Sequence, residues 1–249
     1  MQTNTCSVSY FSLIKIDAID STNEEVKRRF HRGDISFNSV LFAHHQTHGK
    51  GQRDAQWDSM ARQNLTFSIL IPPLDTTIST PFDLSMRVAL AVKTSLSKWS
   101  IPQLKIKWPN DILSGSDKIC GLLIETIFRG TIPVASIIGI GLNVNQTEFD
   151  QFPMVSSLRL ITGQWFNLEE VLWGVLDAVE AQIKSPLAFD ARLADYYDNL
   201  YGYKKTHAFK QNDQTFRALI SGVTPEGYLV LDTAEGKKMY AAKQVQLIR

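Results

Sequence analysis

The sequence has 249 residues, of which 44% are hydrophobic and 20% are charged, a balance typical of a globular protein with a substantial core. Its 26 basic and 25 acidic residues give a net charge of +1, which disfavours the strongly basic surface of a nucleic-acid-binding protein. The N-terminus lacks the basic start and apolar run of a signal peptide, and no apolar stretch reaches the roughly 20 residues that span a bilayer. Cys6 and Cys120 are far apart and match no paired metal or redox spacing. These features predict a cytoplasmic protein.

The first elements alternate between strands and helices. The segment SYFSLIKID predicts a strand that ends by Asp20. Ser21 is followed three positions later by Glu24, a capping-box pattern that predicts the start of a helix in DSTNEEVKRRF. Strands are also predicted at residues 37–43 and 65–71, and apolar residues at helical spacing predict a helix at 84–99.

The second half of the sequence predicts more strands and one long helix, and near the C-terminus its pattern changes to short strands separated by turns. The apolar runs LKIKW, ICGLLIETIF and PVASIIGIGLNV each predict a strand, and residues 168–183 return to helical periodicity. After Tyr203, short strand-like runs are separated by the turns PEG and AEG, which predicts a small all-β unit of about 45 residues. We therefore predict a large domain over residues 1–200 and a small β domain over 203–249.

The segment QTHGKGQRDAQW follows a predicted strand and contains little that could be buried. Gly49 and Gly51 let the backbone approach a ligand closely, and Lys50 and Arg53 could neutralise a phosphate. This pattern predicts a mobile loop that becomes ordered around an anionic ligand, although a solvated turn is the alternative.

The segment KWPNDIL places an aspartate at a turn, with a lysine at the start of the next strand. Asp111 and Lys118 are seven positions apart and could face one cavity. A lysine beside an aspartate suits a reaction in which a carboxylate or phosphate is held and an amine loses a proton. The alternatives are an ordinary turn and a surface ion pair.

Two other segments carry polar groups next to predicted elements. In GIGLNVN, Asn143 and Asn145 alternate with apolar residues, so both side chains lie on one face, which is a candidate cavity face. The alternative for this segment is that its two glycines mark close packing between strands. Thr22 and Asn23 would point outward from a helix N-terminus, although capping alone explains Ser21.

Several known chemistries lack their motifs. The sequence contains neither the GxxxxGK[ST] phosphate loop nor the GxSxG nucleophile elbow. His44, His45 and His48 are clustered but have no HExxH pattern, so we predict exposed loop histidines and no fixed metal site.

The motifs DSTNEE, QTHGKGQRDAQW, KWPND, KICGLLIE and GIGLNVN, taken in this order, resemble the biotin–protein ligase family over about Ile16 to Ser157. The resemblance implies an α+β fold, a mixed β-sheet flanked by helices like that of class II aminoacyl-tRNA synthetases. It also implies a small C-terminal SH3-like β-barrel. The family activates biotin with ATP and Mg2+ to biotinyl-AMP and pyrophosphate, then transfers biotin to a lysine on the biotin carboxyl carrier domain of a carboxylase such as acetyl-CoA carboxylase. The near-neutral charge and the lack of a long apolar stretch predict no nucleic-acid or membrane partner, and a homodimer is left open.

The resemblance also implies roles for individual residues. The catalytic pair would be Lys118, which contacts the biotin carboxylate and the phosphate, and Asp111, which receives the acceptor amine. The other biotin-binding residues would be Ser21, Thr22, Asn23, Gln46, Lys50, Gly51 and Gln52. The residues that bind ATP or the adenylate would be Gly49, Lys50, Arg53, Trp57, Asn110 and Asn143.

The sequence departs from the family pattern in the glycine loop and at the N-terminus. Lys50 and Gln52 stand where the family usually has arginines, and Asp54 stands where a glycine is common. Loss of a bidentate guanidinium predicts weaker retention of the adenylate unless Arg53 substitutes. Only about 10 residues precede the first predicted strand, too few for a winged helix, so we predict no DNA binding.

Two other functions remain open. A lipoate–protein ligase or lipoyl transferase would use the same adenylate chemistry, but Ser21, Thr22 and Gln46 supply polar partners that suit the ureido ring of biotin better than a dithiolane. A catalytically inactive binding module is the other alternative, and the presence of Lys118 and Asp111 argues against it.

Overall fold

The computed structural model describes residues 10–52, 55–73, 78–149 and 154–248. Within these ranges a mixed seven-stranded sheet is flanked by helices, as the sequence predicts, and a separate five-stranded antiparallel sheet follows it. No helix of the described residues is long and apolar enough to cross a membrane.

The elements follow one another from the strand at Ser12 to the short strand that ends at Leu247. In chain order they are β1 (Ser12–Ile19), α1 (Thr22–Arg32), β2 (Ser39–Gln46), β3 (Gly49–Lys50), β4 (Gln56–Trp57), β5 (Leu65–Ile71), α2 (Pro81–Ser97), β6 (Leu104–Lys107), β7 (Asp111–Ser114), β8 (Asp117–Arg129), β9 (Ile132–Leu142), α3 (Leu158–Thr162), α4 (Leu168–Ile183), α5 (Phe189–Asn199), β10 (Thr206–Gln211), β11 (Gln214–Val223), β12 (Leu229–Thr233), β13 (Gly236–Tyr240) and β14 (Gln246–Leu247).

The large sheet has the strand order β1-β2-β5-β9-β8-β7-β6. Only β1 and β2 pair in parallel, because α1 carries the chain back across the sheet between them, and the other pairs are antiparallel. The central strands are apolar on both faces because helices cover both. Val26 of α1 packs in a small cluster with Leu41 and Ile137, whereas α2 and α4 pack in the main core on the other face.

The helix α1 begins where the sequence predicts, but the predicted capping box is wrong. Ser21 is the N-cap residue in an extended conformation, yet its side chain makes no capping hydrogen bond. The backbone N–H of Ser21 donates instead to Asp20, and Glu24 forms an ion pair with Lys50. The backbone N–H of Ser21 and the carboxylate of Glu24, which would bond to each other in the box, are therefore engaged elsewhere.

Several elements differ from the sequence-based expectations. The turn after Pro109 leads directly into β7, which pairs with β6 as a hairpin, and the Trp108–Pro109 peptide bond is cis. His44 and His45 lie on β2 rather than in an exposed loop. The helix α5 is not among the elements predicted from the sequence. It is held in place by long-range contacts, notably the buried pair between Arg192 and Asp83 of α2.

The C-terminal unit is the predicted all-β module, with the strand order β13-β12-β11-β10-β14. Its two edge strands do not pair with each other within the described residues, so hydrogen bonding does not close the barrel that the resemblance implies. The edge strand β14 has only two residues, and both pair with β10. We call this five-stranded unit the β module.

The β module packs onto the large sheet through the turn between β11 and β12. The indole Nε1 of Trp108 donates to the carbonyl oxygen of Gly227 at 2.9 Å, and Thr80 Oγ1 donates to Pro225 O at 3.2 Å. Gly227 has a φ of +91°, and a Cβ atom there would lie 3.0 Å from the ring of Phe82. Glycine is therefore required at this contact by both its backbone conformation and its packing.

We predict that Gly227→Ala destabilises the protein more than Gly236→Ala. Both glycines have a positive φ, which costs a residue with a Cβ atom about 1–3 kcal/mol, but no atom lies within 4 Å of a Cβ at Gly236. Gly227→Ala also overpacks Phe82, at an added cost of roughly 1–3 kcal/mol. Urea unfolding of both variants measures the difference, and equal losses of unfolding free energy would contradict the assigned contact.

Candidate active site

A cavity of about 480 Å³ lies between the large sheet and the β module. Its wall contains most of the residues that the sequence singles out. These lining residues are Ser21, Thr22, Asn23, Gln46, Lys50, Gly51, Gln52, Trp57, Asn110, Asp111 and Lys118. Of the remaining candidates, Gly49 and Asn143 are not among the lining residues, and Arg53 and Asp54 lie outside the described residues.

One end of the cavity is a polar network built on the junction of β1 and α1. The side-chain oxygen Oε1 of Gln46 accepts hydrogen bonds from the backbone N–H of Thr22 at 2.7 Å and from its hydroxyl at 3.0 Å. The buried hydroxyl of Ser68 lies 2.7 Å from Thr22 Oγ1 and 2.6 Å from Asn23 Oδ1. The network orients Gln46 so that its oxygen is used inside the protein and its amide nitrogen remains for other contacts.

The junction of β1 and α1 is itself anchored by charge. Arg28 donates through both terminal nitrogens to the carboxylate of Asp20, at 2.8 and 2.7 Å. The hydrogen bonds from Arg28 are the main cause that lowers the pKa of Asp20 to about 2, and the N–H of Ser21 adds to the effect. Asp20 therefore remains ionised at neutral pH and holds the backbone from which Ser21 projects.

The floor of the cavity is a surface of glycines on β8 and β9. A Cβ atom at Gly139 would lie 2.3 Å from Asn23 Oδ1, and one at Gly141 would lie 2.4 Å from the indole of Trp57. A Cβ at Gly121 would lie 3.0 Å from the same indole. The glycines thus leave room for the side chains of Asn23 and Trp57 close to the sheet. The alternative from the sequence, that they mark close packing between strands, does not describe their contacts.

The described residues on either side of positions 53–54 form a short two-stranded hairpin over the cavity, and we call residues 49–52 and 55–57 the flap. Gly49 pairs with Trp57 and Lys50 with Gln56, and the N–H of Gly51 donates to Ala55 O at 2.7 Å. A Cβ at Gly49 would lie 2.3 Å from the carbonyl oxygen of Trp57, so the hairpin requires glycine there.

Lys50 of the flap is already paired with an acidic side chain. Its Nζ lies 2.6 Å from Glu24 Oε1, and the side chain of Lys50 is 53% exposed. This hydrogen bond is the main cause that raises the pKa of Lys50 and lowers the pKa of Glu24. The predicted ligand contact of Lys50 therefore competes with an ion pair that ties the flap to the first turn of α1.

At the other end of the cavity, Asp111 lies between two lysines. Its Oδ1 is 2.7 Å from the Nζ of Lys118, and its Oδ2 is 3.1 Å from the Nζ of Lys107. The Nζ of Lys118 also lies 5.5 Å from the centre of the Trp57 ring. The structure thus brings Lys118 and Asp111 together as the sequence predicts, and it adds Lys107, which the sequence analysis did not single out.

The signal for Lys107 is present in the sequence, since it is the first residue of KWPND. The hairpin makes Lys107 and Asp111 direct partners across the β6–β7 register. A turn at KWPND does not by itself predict this pairing, because Lys107 and Asp111 become partners only when the residues after the turn form the strand β7.

Three candidate asparagines, two of which the resemblance assigns to the nucleotide, are used largely inside the protein. Asn110 lines the cavity, but its Nδ2 donates to Leu122 O at 2.6 Å. Asn143 is 2% exposed and donates to Ser156 O at 3.1 Å. Asn145 exchanges hydrogen bonds with the backbone of Phe166. Asn143 and Asn145 therefore face the loops after β9 and not the cavity, because the chain leaves the sheet after Leu142 and these side chains satisfy the loop backbone.

The β module supplies a wall of the cavity that the sequence analysis did not foresee. Polar side chains of Lys243 and Gln246 line it together with apolar residues that include Phe209, Val245 and Leu247. No local motif marks these residues, since their place at the cavity follows from the packing of the β module on Trp108. Among the described residues, no group of three or more His, Cys, Asp and Glu side chains is arranged to hold a metal ion.

Comparisons with known proteins relate this cavity to a family of ligases. Residues 16–143, just over half of the chain, match the model of the biotin/lipoate A/B protein ligase family. The protein named bifunctional ligase/repressor BirA of Bacillus spizizenii is 29% identical over 248 residues, which cover 92% of this chain and 72% of that protein. A biotin–[acetyl-CoA-carboxylase] ligase of Mycobacterium tuberculosis is 32% identical over 141 residues, which cover 55% of this chain and 51% of that protein.

A solved structure has the same fold over nearly the whole chain. The biotin protein ligase from Aquifex aeolicus in complex with biotin and ATP superposes with a TM-score of 0.80 and 26% identity, covering 95% of this chain and 98% of that one. The similarity includes both the large sheet and the β module, since so little of either chain is left out. On the strength of the family match and this shared fold, the chain belongs to the biotin/lipoate A/B protein ligase family.

Proposed function

We propose that the protein is an ATP-dependent biotin–protein ligase, which forms biotinyl-AMP and transfers biotin to a lysine of the biotin carboxyl carrier domain of a carboxylase such as acetyl-CoA carboxylase. The observation that carries the proposal is that Gln46, Lys118 and Asp111 line one cavity. A polar end suited to the ureido ring and a cationic end suited to a carboxylate and a phosphate thus share one space. Relatives named as biotin ligases support the same reaction.

The polar end favours biotin over lipoate. The ureido group has both donors and acceptors, and these need partners when they are buried. Ser21, Thr22, Asn23 and Gln46 offer hydroxyl and amide groups there. The dithiolane of lipoate would leave such groups without partners, and leaving a buried polar group unpaired is costly.

The cationic end suits adenylate formation. An oxygen of the biotin carboxylate attacks the α-phosphorus of ATP, the bond to the bridging oxygen breaks, and pyrophosphate leaves. Both reactants are anions, so the approach needs a cation between them, and Lys118 at the edge of the cavity supplies one.

Transfer follows at the same end. The amine of the acceptor lysine attacks the acyl carbon of biotinyl-AMP, the bond from that carbon to the phosphate oxygen breaks, and AMP leaves. The acceptor arrives as an ammonium group, so its nitrogen loses two protons in becoming an amide: the carboxylate of Asp111 accepts the first before the attack, and the second passes to water or to the phosphate of the departing AMP. Asp111 is 8% exposed and lies beside Lys118, where its carboxylate can hold this ammonium group.

The flap protects the intermediate from water in this proposal. Mixed anhydrides hydrolyse readily, so the cavity must exclude solvent between the two half-reactions. Gly51, Gln52 and Trp57 of the flap line the cavity, and the pair between Lys50 and Glu24 ties the flap to α1. We assign the contact with the adenylate to these flap residues, including Lys50, together with Gly49 and Arg53.

The described residues offer no cluster of carboxylates for a resident metal, and both oxygens of Asp111 are taken by lysines. We therefore propose that Mg2+ enters only as the counter-ion of the ATP phosphates. We further propose that residues 1–200 form the ligase domain, that residues 203–249 form a β domain needed to complete the cavity, and that the enzyme acts in the cytoplasm, either alone or as a homodimer.

A carrier-domain assay tests the function. The purified protein is incubated with a biotin carboxyl carrier domain, ATP and Mg2+, with either biotin or lipoate, and the carrier is examined by mass spectrometry. We expect one biotinyl group on the carrier and no lipoyl group. Lipoylation instead of biotinylation would identify a lipoate ligase, and no modification with either acid would identify a binding module.

We predict that Lys118→Ala lowers the rate of biotinyl-AMP formation by about 100- to 1,000-fold, a loss typical of removing one charge-stabilising donor. The rate is measured by exchange of labelled pyrophosphate into ATP. Lys98→Ala, which removes an exposed lysine outside the cavity, serves as the control. If Lys118→Ala exchanged pyrophosphate as fast as the unmodified protein, the site would be wrongly assigned.

We also predict that Gln52→Arg slows the dissociation of biotinyl-AMP by roughly 10-fold or more. A guanidinium in the flap adds charge-assisted hydrogen bonds to the phosphate, each worth about 1.5–3 kcal/mol. Stopped-flow or filter-binding measurements of the off-rate test this, with Gln63→Arg adding the same group outside the cavity as the control. An unchanged off-rate would reject the role of the flap in retaining the adenylate.

A further inference from the structure

Lys107 is a third charged residue at the cationic end, and neither the resemblance nor the proposed reaction gives it a role. It lines the cavity on the opposite side of Asp111 from Lys118. The lysine side chains are 22% and 28% exposed, and the Asp111 side chain is 11% exposed. One largely buried carboxylate thus serves two lysines, one on each oxygen.

The position of Lys107 is set by the hairpin. Lys107 and Asp111 are register partners on β6 and β7, joined by a turn of three residues. The turn is fixed from outside, because Trp108 is 8% exposed and its Nε1 donates to Gly227 of the β module. The Lys107–Asp111 contact therefore belongs to a rigid local unit.

The contact with Lys118 is of a different kind. Lys118 stands on β8, and its Nζ faces both Asp111 Oδ1 and the ring of Trp57 in the flap. An anion bound under the flap would lie beside this Nζ and would compete with Asp111 for it. Of the two lysines, Lys118 is thus the one whose partner changes when an anionic ligand arrives.

This arrangement limits when Asp111 can receive an acceptor. With both lysines in place, each carboxylate oxygen already has a cationic partner within 3.1 Å. An incoming ammonium group would meet two positive charges, and each oxygen would already accept one charged hydrogen bond. An oxygen without a cationic partner becomes available only after Lys118 has turned to the adenylate.

We propose that Lys107 is a positioning residue for the transfer half-reaction: it holds Asp111 by one oxygen while Lys118 moves to biotinyl-AMP, which leaves the other oxygen for the ammonium group of the acceptor lysine. This inference rests on the proposed function. It gives the site an order of events, since the acceptor is engaged only after the intermediate has formed.

The charges of Asp111 and the two lysines support different roles for Lys107 and Lys118. Asp111 with both lysines carries a net charge of +1, which attracts the anionic substrates. Without Lys107, the carboxylate of Asp111 would face the phosphate of the intermediate with no cation of its own once Lys118 had moved. Repulsion between these anions would then displace Asp111 from the place where the acceptor nitrogen must be held.

The test separates the two half-reactions in the whole protein. Biotinyl-AMP formation is followed by pyrophosphate exchange, and transfer is followed as a single turnover from preformed biotinyl-AMP to the carrier domain. For Lys107→Met we expect the transfer rate constant to fall at least 10-fold more than the exchange rate. Lys107→Arg, which keeps the charge, should recover most of the transfer rate.

Lys105→Met is the matched control. Lys105 is on the same strand two residues earlier, but its Nζ donates to Asp198 O on the surface and does not line the cavity. We expect this variant to transfer biotin at the unmodified rate, which shows that loss of a lysine from β6 is not itself the cause.

The outcomes are distinct. If the unmodified protein biotinylates the carrier and Lys107→Met slows both half-reactions equally, or neither, the proposal is overturned and Lys107 is a structural ion-pair partner only. If the unmodified protein does not biotinylate the carrier at all, the proposed function fails instead. Should Lys107→Met not fold, as judged by thermal melting, Lys107→Gln is put through the same two assays, and the same equal losses would overturn the proposal.

Discussion

The candidate site depends on bare backbone at the centre of the large sheet. Gly139 and Gly141 lie on β9 among buried apolar residues, where a Cβ atom would lie only 2.3 Å from Asn23 or 2.4 Å from Trp57. Because these positions carry no Cβ atom, one side chain from the helix α1 and one from the flap can lie flat on the sheet. The cavity between them exists only because a strongly apolar strand is interrupted twice.

The two ends of that cavity differ in the forces that organise them. At the end near Gln46, neutral hydroxyl and amide groups bond to one another and leave selected donors and acceptors for a ligand. At the other end, charge dominates, and one carboxylate is placed between two lysines. A ligand with a polar ring and an acidic tail satisfies both ends, and a ligand with only one of these features leaves buried groups unpaired.

The β module links the chemistry to the stability of the whole chain. Its turn at Gly227 receives the indole hydrogen bond of Trp108, and Trp108 is the first residue of the three-residue turn that joins Lys107 to Asp111. The same module places Lys243 and Gln246 on the cavity wall. A small sheet with a limited core of its own thus gains stability by docking, and in docking it completes the site.

The sequence alone determined most of the strands and long helices, because these depend on local periodicity. The order of its motifs determined the family resemblance, and the resemblance in turn implied the class of the fold. The sequence also predicted that Lys118 and Asp111 would meet, since both flank one short turn. Only the tertiary structure decided that Lys107 faces Asp111, that Asn143 turns away from the cavity, and that the β module forms a wall. Each of these depends on strand register or on packing between segments far apart in the chain, and the composition of one short motif does not specify either.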